Sequence, residues 1–254
     1  MKKTLPDSGN LYSQKWAWNI AVLASIFFLV YLPSKESFST SDQLGGYLEL
    51  LLLLPAGIYY TLLVTLLGSF TAILVGLLVG LGKLSKNSVI RITVSFYIEI
   101  LRGIPLLVLL FYIYYALGEF IHIPPLIAAV TGFGFSYGAY MADVFRSGIE
   151  AVPKEQAEVA RSLGMNEKEA LTQIVLPQAM RTIIPAIGNQ TLGMLKDTSL
   201  VSVLAISDIL RVGNEYATKH FNFFETYTYV ALTYLLLTLL LSQLVHKLEY
   251  RYRI

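Results

Sequence analysis

Along most of this chain, apolar runs long enough to cross a bilayer alternate with short polar stretches. A transmembrane helix needs about 20 mainly apolar residues. On that measure residues 16–32, 57–81, 92–117, 124–144, 183–204 and 226–245 read as six transmembrane helices. The run 47–55 is apolar but too short to span, and reads as lying in the outer interface ahead of the second helix. The competing reading of the first segment is a signal peptide. Its apolar run exceeds a typical signal core and no small-x-small site follows Tyr31, which favours a retained helix with Trp16 and Trp18 at the inner interface and Tyr31 at the outer one. The polar stretches are 33–46, 82–91, 207–225 and, longest and richest in charge, 150–177 (EAVPKEQAEVARSLGMNEKEALTQIVLP).

Inside the apolar segments some residues break the pattern. Gly68, Ala72, Gly76 and Gly80 recur every four residues and give the second helix a smooth stripe; Gly132, Gly134 and Gly138 do the same for the fourth. In lipid such stripes let backbones approach closely. Asp143 and Arg146 are spaced to pair. Arg102 lies 11 residues after Arg91, roughly halfway across at about 1.5 Å per residue. Gly103 and Pro105 then disrupt the helix. A charge at that depth needs a partner or a wet cavity. Glu99, three residues earlier on the same face, is one partner, making a self-neutralised structural pair. The other reading is that Arg102 lines a substrate path. In the fifth segment Lys196-Asp197-Thr198-Ser199 interrupts an apolar run, and Asp197 or Thr198 is expected to cap a restarted half-helix, with Gly188 and Gly193 adding freedom before it.

Composition agrees with a membrane protein: 55% hydrophobic, 14% charged, where soluble domains carry about 25% charged residues. The mean hydropathy is +0.60. A net charge of +2 gives no argument for nucleic acid, and the absence of cysteine excludes disulfides and thiol chemistry. His122, His220 and His246 lack metal-ligand spacing, so no metal is expected. Placing 150–177 inside puts fourteen Lys and Arg inside (2, 3, 15, 83, 86, 91, 146, 154, 161, 168, 181, 247, 251, 253) against Lys35, Arg211 and Lys219 outside. That bias places both termini in the cytoplasm and requires an even number of spans. The expected organisation is an N-terminal helix and external loop (1–54), a transmembrane domain (55–246) and a cytoplasmic tail (247–254).

The polar stretch 150–177 has its own internal signals. Pro153 suits the first turn of a helix running through 154–163. Val152, Val159 and Leu163 form an apolar strip with Ala157 and Ala160 beside it. Gly164 fits a left-handed stop. Asn166 with Glu169 is a capping-box pattern for a second helix, expected to end near Leu176-Pro177. A rigid two-helix loop of this kind can fit a groove on a partner; the bland alternative is a surface linker.

Three motifs in order carry a family resemblance. Glu158-Val159-Ala160, then Gly164, then Ile174-x-Leu176-Pro177 resembles the EAA loop of ABC-importer permeases, with Val159 in place of the middle alanine. Arg102-Gly-Ile-Pro-Leu-Leu-Val108 is similar to the RGTPLLV run of polar amino acid permeases, with Ile104 at the usual threonine. Leu195-Lys-Asp-Thr-Ser-Leu-Val201 matches their LKDTSLV run. The resemblance covers residues 55–246 and implies a five-helix core to which the segment 16–32 is an extra span. It implies a cell-membrane permease, not itself an enzyme, paired with a second, identical or similar permease chain. An ATP-binding subunit would dock on Glu158, Val159, Ala160, Gly164, Ile174, Leu176 and Pro177, and an extracytoplasmic binding protein would deliver an amino acid. Substrate contacts would come from Arg102 for the carboxylate and Asp197 or Glu99 for the ammonium, with a half-helix start at Thr198 and Ser199 also favouring the carboxylate. Lys196 and Asp197 are adjacent, so they point different ways. No cofactor is implied in this chain. It has no GxxxxGK[ST], since Leu84 follows Gly82-Lys83, so ATP belongs to another chain. The competing class is a channel or secondary transporter with Arg102, Glu99 and Asp197 as an ion or proton pathway, which leaves the loop spacing unexplained. A membrane enzyme lacks a catalytic cluster: there is no HExxH or GxSxG.

Overall fold

A computed structural model describes residues 18–28 and 43–252, which form helices and connecting turns throughout. Helix α1 is Trp18–Phe28. It is followed by α2 (Gln43–Lys83), α3 (Ser88–Gly103), α4 (Leu106–Phe111), a π turn (Tyr112–Ala116) and a short 3-10 turn (Leu117–Glu119). Then come α5 (Pro125–Glu150), α6 (Lys154–Ser162), the single turn α7 (Glu167–Glu169) and a π turn (Ala170–Val175). The chain continues as α8 (Leu176–Asp197), a 3-10 segment (Thr198–Leu204), α9 (Ile209–His220) and α10 (Phe223–Tyr252). Trp16 and Tyr31, the outer parts of the first predicted segment, and residues 33–42 of the loop after it lie outside the described residues. The Trp18 ring meets His246, with centroids 5.9 Å apart, and this sets α1 beside the end of α10.

By length and apolarity, two helices among the described residues suffice to cross a membrane, over Glu49–Lys83 and Phe223–Tyr250, and a third span is made if the bent pair α3–α4 counts as one. Among the helices that do not qualify is α5. It is 26 residues long, about 39 Å, yet 14 of those residues are buried, among them Gly132, Gly134, Gly138 and Gly148. α5 packs against α2, α3, α4 and α8 and is the centre of the bundle.

The two small-residue rows meet each other. A Cβ at Gly80 would sit 2.9 Å from the Ala142 oxygen, and one at Gly138 2.7 Å from Val75 Cγ1. At Gly76 an added Cβ would collide with Met141, and at Gly134 with Thr71. The expected close contact is therefore the α2–α5 packing within one chain. Around it Val64, Phe133, Met141, Ile183, Met194, Val201 and Leu204 form the main core, all buried.

Several predicted boundaries move, each for a physical reason. The run 47–55 is not a separate piece: α2 continues through Pro55 as one 41-residue helix, about 60 Å long. Its first half packs Leu50 and Leu54 against Ile209, Tyr216 and Tyr229, an interface no local pattern announces. The 54/55 boundary thus falls inside α2. The third segment is not a straight span; at Ile104-Pro105 it bends by 100°. The polar stretch 207–225 contains the amphipathic helix α9. Its cap, Asp208, is buried and accepts from the backbone N–H groups of Leu210 and Arg211, both at 3.1 Å, and from the Tyr234 hydroxyl at 3.0 Å.

Gly76→Val is expected to lower the thermal midpoint of the detergent-purified protein, at an overpacking cost of about 1–3 kcal/mol. Gly118→Ala, where a Cβ meets nothing within 4 Å, is expected to leave that midpoint in place.

Candidate functional site: the α5 edge and the two-helix loop

One edge of α5 carries Tyr137, Tyr140, Asp143, Arg146 and Glu150, spaced three or four apart and so stacked along the helix. Arg102, at the end of α3, is held against this edge. Its Nη1 lies 2.6 Å from Asp143 Oδ2, Nη2 donates to the Ala139 oxygen at 3.0 Å, and the guanidinium stands 4.7 Å above the Tyr140 ring centroid. Its Nε is buried without an acceptor. The local Glu99–Arg102 pair does not form. Glu99 is exposed and Arg102 takes a carboxylate from another helix instead. The tip of α3 rests on α5, which brings Asp143 within reach of Arg102. Asp143 also approaches Arg146 Nε at 3.5 Å, the pairing expected from spacing, and Arg146 reaches Glu150 at 2.7 Å.

At the other end of this edge, the Tyr137 hydroxyl donates to Asp197 Oδ2 at 2.7 Å. The rings of Tyr137 and Tyr140 are 6.2 Å apart. Arg102 and Asp197 are therefore neighbours of neighbours, linked through two tyrosines that sequence reasoning passed over. Their i, i+3 spacing with Asp143 was the available signal. The expected capped half-helix is absent: Asp197 ends α8 and makes no cap hydrogen bond. Thr198 is buried and donates back to the Leu195 oxygen at 2.6 Å, and Ser199 donates to the Lys196 oxygen at 3.0 Å. These bonds tighten the chain into a 3-10 segment that stops at Ala205, whose φ is +61°. The capped restart comes later, at Asp208.

The stretch after Glu150 is built as a rigid knob. Pro153 precedes α6 rather than occupying its first turn. Gly164 (φ +91°) donates to the Arg161 oxygen at 3.0 Å, and the Met165 N–H reaches the Ala160 oxygen at 3.2 Å, the paired bonds of a glycine-terminated helix. Asn166 and Glu169 complete the capping box, with bonds of 2.8 and 2.9 Å. The predicted apolar strip splits. Ala160 is buried and Val152 and Ala157 pack on the main core, while Val159 and Leu163 are 60% and 80% exposed. Glu158 and Pro177 are also exposed, and Ile174 and Leu176 half-buried. The second loop helix does not stop at Leu176-Pro177. A widened turn, in which the Leu176 N–H reaches back to the Leu171 oxygen, leaves room for the proline ring and the chain runs on into α8. Lys86, on the α2–α3 turn, bonds Glu167 at 2.7 Å and, with both groups exposed, holds the Glu167 carboxyl below its usual range.

Comparison with known proteins gives the class to which this helical bundle and its structured loop belong. Residues 72–254 match the family described as binding-protein-dependent transport system inner membrane component. The chain is 34% identical to the L-cystine transport system permease protein of Bacillus subtilis, over 78% of this chain and 86% of that one. It is 33% identical to the glutamine transport system permease protein of Escherichia coli, over 80% and 94%. Among solved structures, an amino acid ABC transporter with histidines superposes with a TM-score of 0.76 at 37% identity, covering 80% of this chain and 96% of that one. An inward-facing methionine ABC transporter shares the fold, with a TM-score of 0.70 at 20% identity over 79% and 96%. The chain belongs to the binding-protein-dependent transport system inner membrane component family. It is a multi-pass inner-membrane permease subunit, whose assembly includes a separate ATP-binding subunit and a substrate-binding protein, and the channel or secondary-transporter reading is not favoured.

Asn166→Ala is expected to remove one side of the capping box and cost about 1 kcal/mol locally. Amide hydrogen exchange should quicken over 167–172 while the core of α5 keeps its protection.

Proposed function

We propose that this chain forms the membrane path of an ATP-driven importer of polar amino acids. The observation that carries the reading is the knob of α6 and α7. Capped at both sides of Gly164, it presents Glu158, Val159 and Leu163 outward while Ala160 anchors it. An exposed apolar pair on a rigid, charged helix suits a groove on a soluble ATPase. The names of the cystine and glutamine relatives supply the substrate class.

In this reading Glu158, Val159, Ala160, Gly164, Ile174, Leu176 and Pro177 shape the ATPase contact. Asp197, held by Tyr137, meets the ammonium of the passing amino acid. Ser199 and Glu99 border the path, whereas the buried Thr198 shapes the turn beneath Asp197. The lysine and arginine bias supports cytoplasmic termini and a cytoplasmic knob. A second permease chain, the same or similar, would complete the path.

The test is ATP-dependent uptake of radiolabelled glutamine, cystine and histidine into vesicles holding the permease, its ATPase and its binding protein. Uptake is expected only with all components present. Uptake without the ATPase would overturn the reading. Gly164→Val forces a β-branched residue to φ +91°, at a cost of about 1–2 kcal/mol. It is expected to leave membrane insertion intact while lowering the amino acid moved per ATP.

A further inference from the structure

The least embedded of the long helices is α3. Of its 16 residues only Ile98 is buried. It is held instead at its two ends. At the inner end the adjoining turn carries Lys86, bonded to Glu167 of the knob at 2.7 Å. At the other end Arg102 is clamped by Asp143, the Ala139 oxygen and the Tyr140 ring. Immediately beyond lies the 100° bend. A Cβ at Gly103 would meet nothing within 4 Å, so packing does not demand glycine there; what glycine adds at the elbow is backbone freedom. Past the bend, the π turn carries Tyr115, whose hydroxyl donates to the Val203 oxygen at 2.8 Å, in the 3-10 segment that follows Asp197. One continuous piece of chain thus runs from the knob to the Asp197 turn.

We propose that α3 is a lever carrying movement of the knob to the Asp197 turn, and that Asp143 is its fulcrum, a positioning residue acting through Arg102. The inference rests on the transport reading above. Lys86–Glu167 is exposed, where solvent screens the attraction, so it marks the inner end without fixing the lever. The Arg102–Asp143 pair is about one-third exposed on both sides and does fix it. Truncating one member of a pair in such surroundings strands the other charge. The clamp is also not saturated, because Arg102 Nε lacks an acceptor. Its release therefore costs less than that of a fully satisfied guanidinium, which suits a contact that must yield during each cycle. Arg102, on this view, is committed to α5 rather than to the substrate carboxylate.

The test uses the complete complex in vesicles. Asp143→Asn is expected to lower the maximal uptake rate about tenfold while shifting the half-saturating substrate concentration by less than about twofold. Asp143→Glu keeps the charge and should retain most of the rate. The exchange Arg102→Asp with Asp143→Arg restores an ion pair and should recover a substantial part of the lost rate. A dead exchange variant whose substrate binding is weakened would overturn the proposal by showing Arg102 to be a substrate ligand. Spin labels at the exposed positions Phe96 on α3 and Leu66 on α2 should report a distance change on addition of a non-hydrolysable ATP analogue, and Asp143→Asn should give one broad distribution with or without it. An unchanged distance in the wild type would overturn the lever. A wild-type complex that imports while Asp143→Asn is unaffected would overturn the lever alone. A wild-type complex that binds its ATPase but imports nothing would overturn the transport reading and the lever with it.

Discussion

The contact between α2 and α5 is what the remaining structure depends on. In lipid there is little hydrophobic force between helices, so association relies on close packing. Gly76 and Gly80 let α2 reach the α5 backbone at Met141 and Ala142, and Gly134 and Gly138 admit Thr71 and Val75 in return. A β-carbon at any of these positions would push the helices apart. With α2 on one side and α8 on another, α5 is sheltered along most of its length. Its remaining face carries the polar edge of Tyr137, Tyr140, Asp143, Arg146 and Glu150, of which Tyr137 is buried and the others half-buried or exposed.

The polar edge in turn explains how the half-buried charge of Arg102 is held. An isolated guanidinium near the bilayer centre costs several kcal/mol. Here three contacts share Arg102: a carboxylate, a backbone oxygen and an aromatic face. The carboxylate is itself shared with Arg146, and Arg146 with Glu150, so charge alternates down the helix to the start of the loop. The arrangement joins the tip of α3 to the central helix and leaves Asp197 to be oriented by Tyr137. Asp208 repeats the same economy at another corner, where two backbone N–H groups and one hydroxyl satisfy a buried carboxylate.

The loop has a different source of order. Its shape comes from short-range bonds around Gly164 and Asn166, while Val152, Ala157, Leu171 and Val175 pack it on the main core and Lys86 holds Glu167. It can therefore keep one form while the helices behind it shift. The proline that would be expected to end it lies in a widened turn, so the knob is continuous with α8 and with the Asp197 turn at the far end of that helix.

The residues themselves determined the local features. Apolar runs marked the main segments, the glycine rows marked a close contact, and Gly164, Asn166 and Glu169 placed the loop turns to within a residue. These are legible because sterics, capping and 3.6-residue periodicity act between near neighbours in sequence. The three motifs at Arg102, Glu158–Pro177 and Leu195–Val201 supplied the family. Tertiary structure alone decided the choice of partners. Arg102 sits three residues from Glu99 yet pairs with Asp143, because the Pro105 bend turns the tip of α3 onto α5. Pro55 does not end a helix, because Leu50 and Leu54 gain a buried surface against α9 and α10. The helix in 207–225 followed an N-cap signal at Asp208 that polarity concealed. In the first two cases a contact between distant residues outweighed a local preference worth only about a kcal/mol or two, and no single stretch of chain contains that contact.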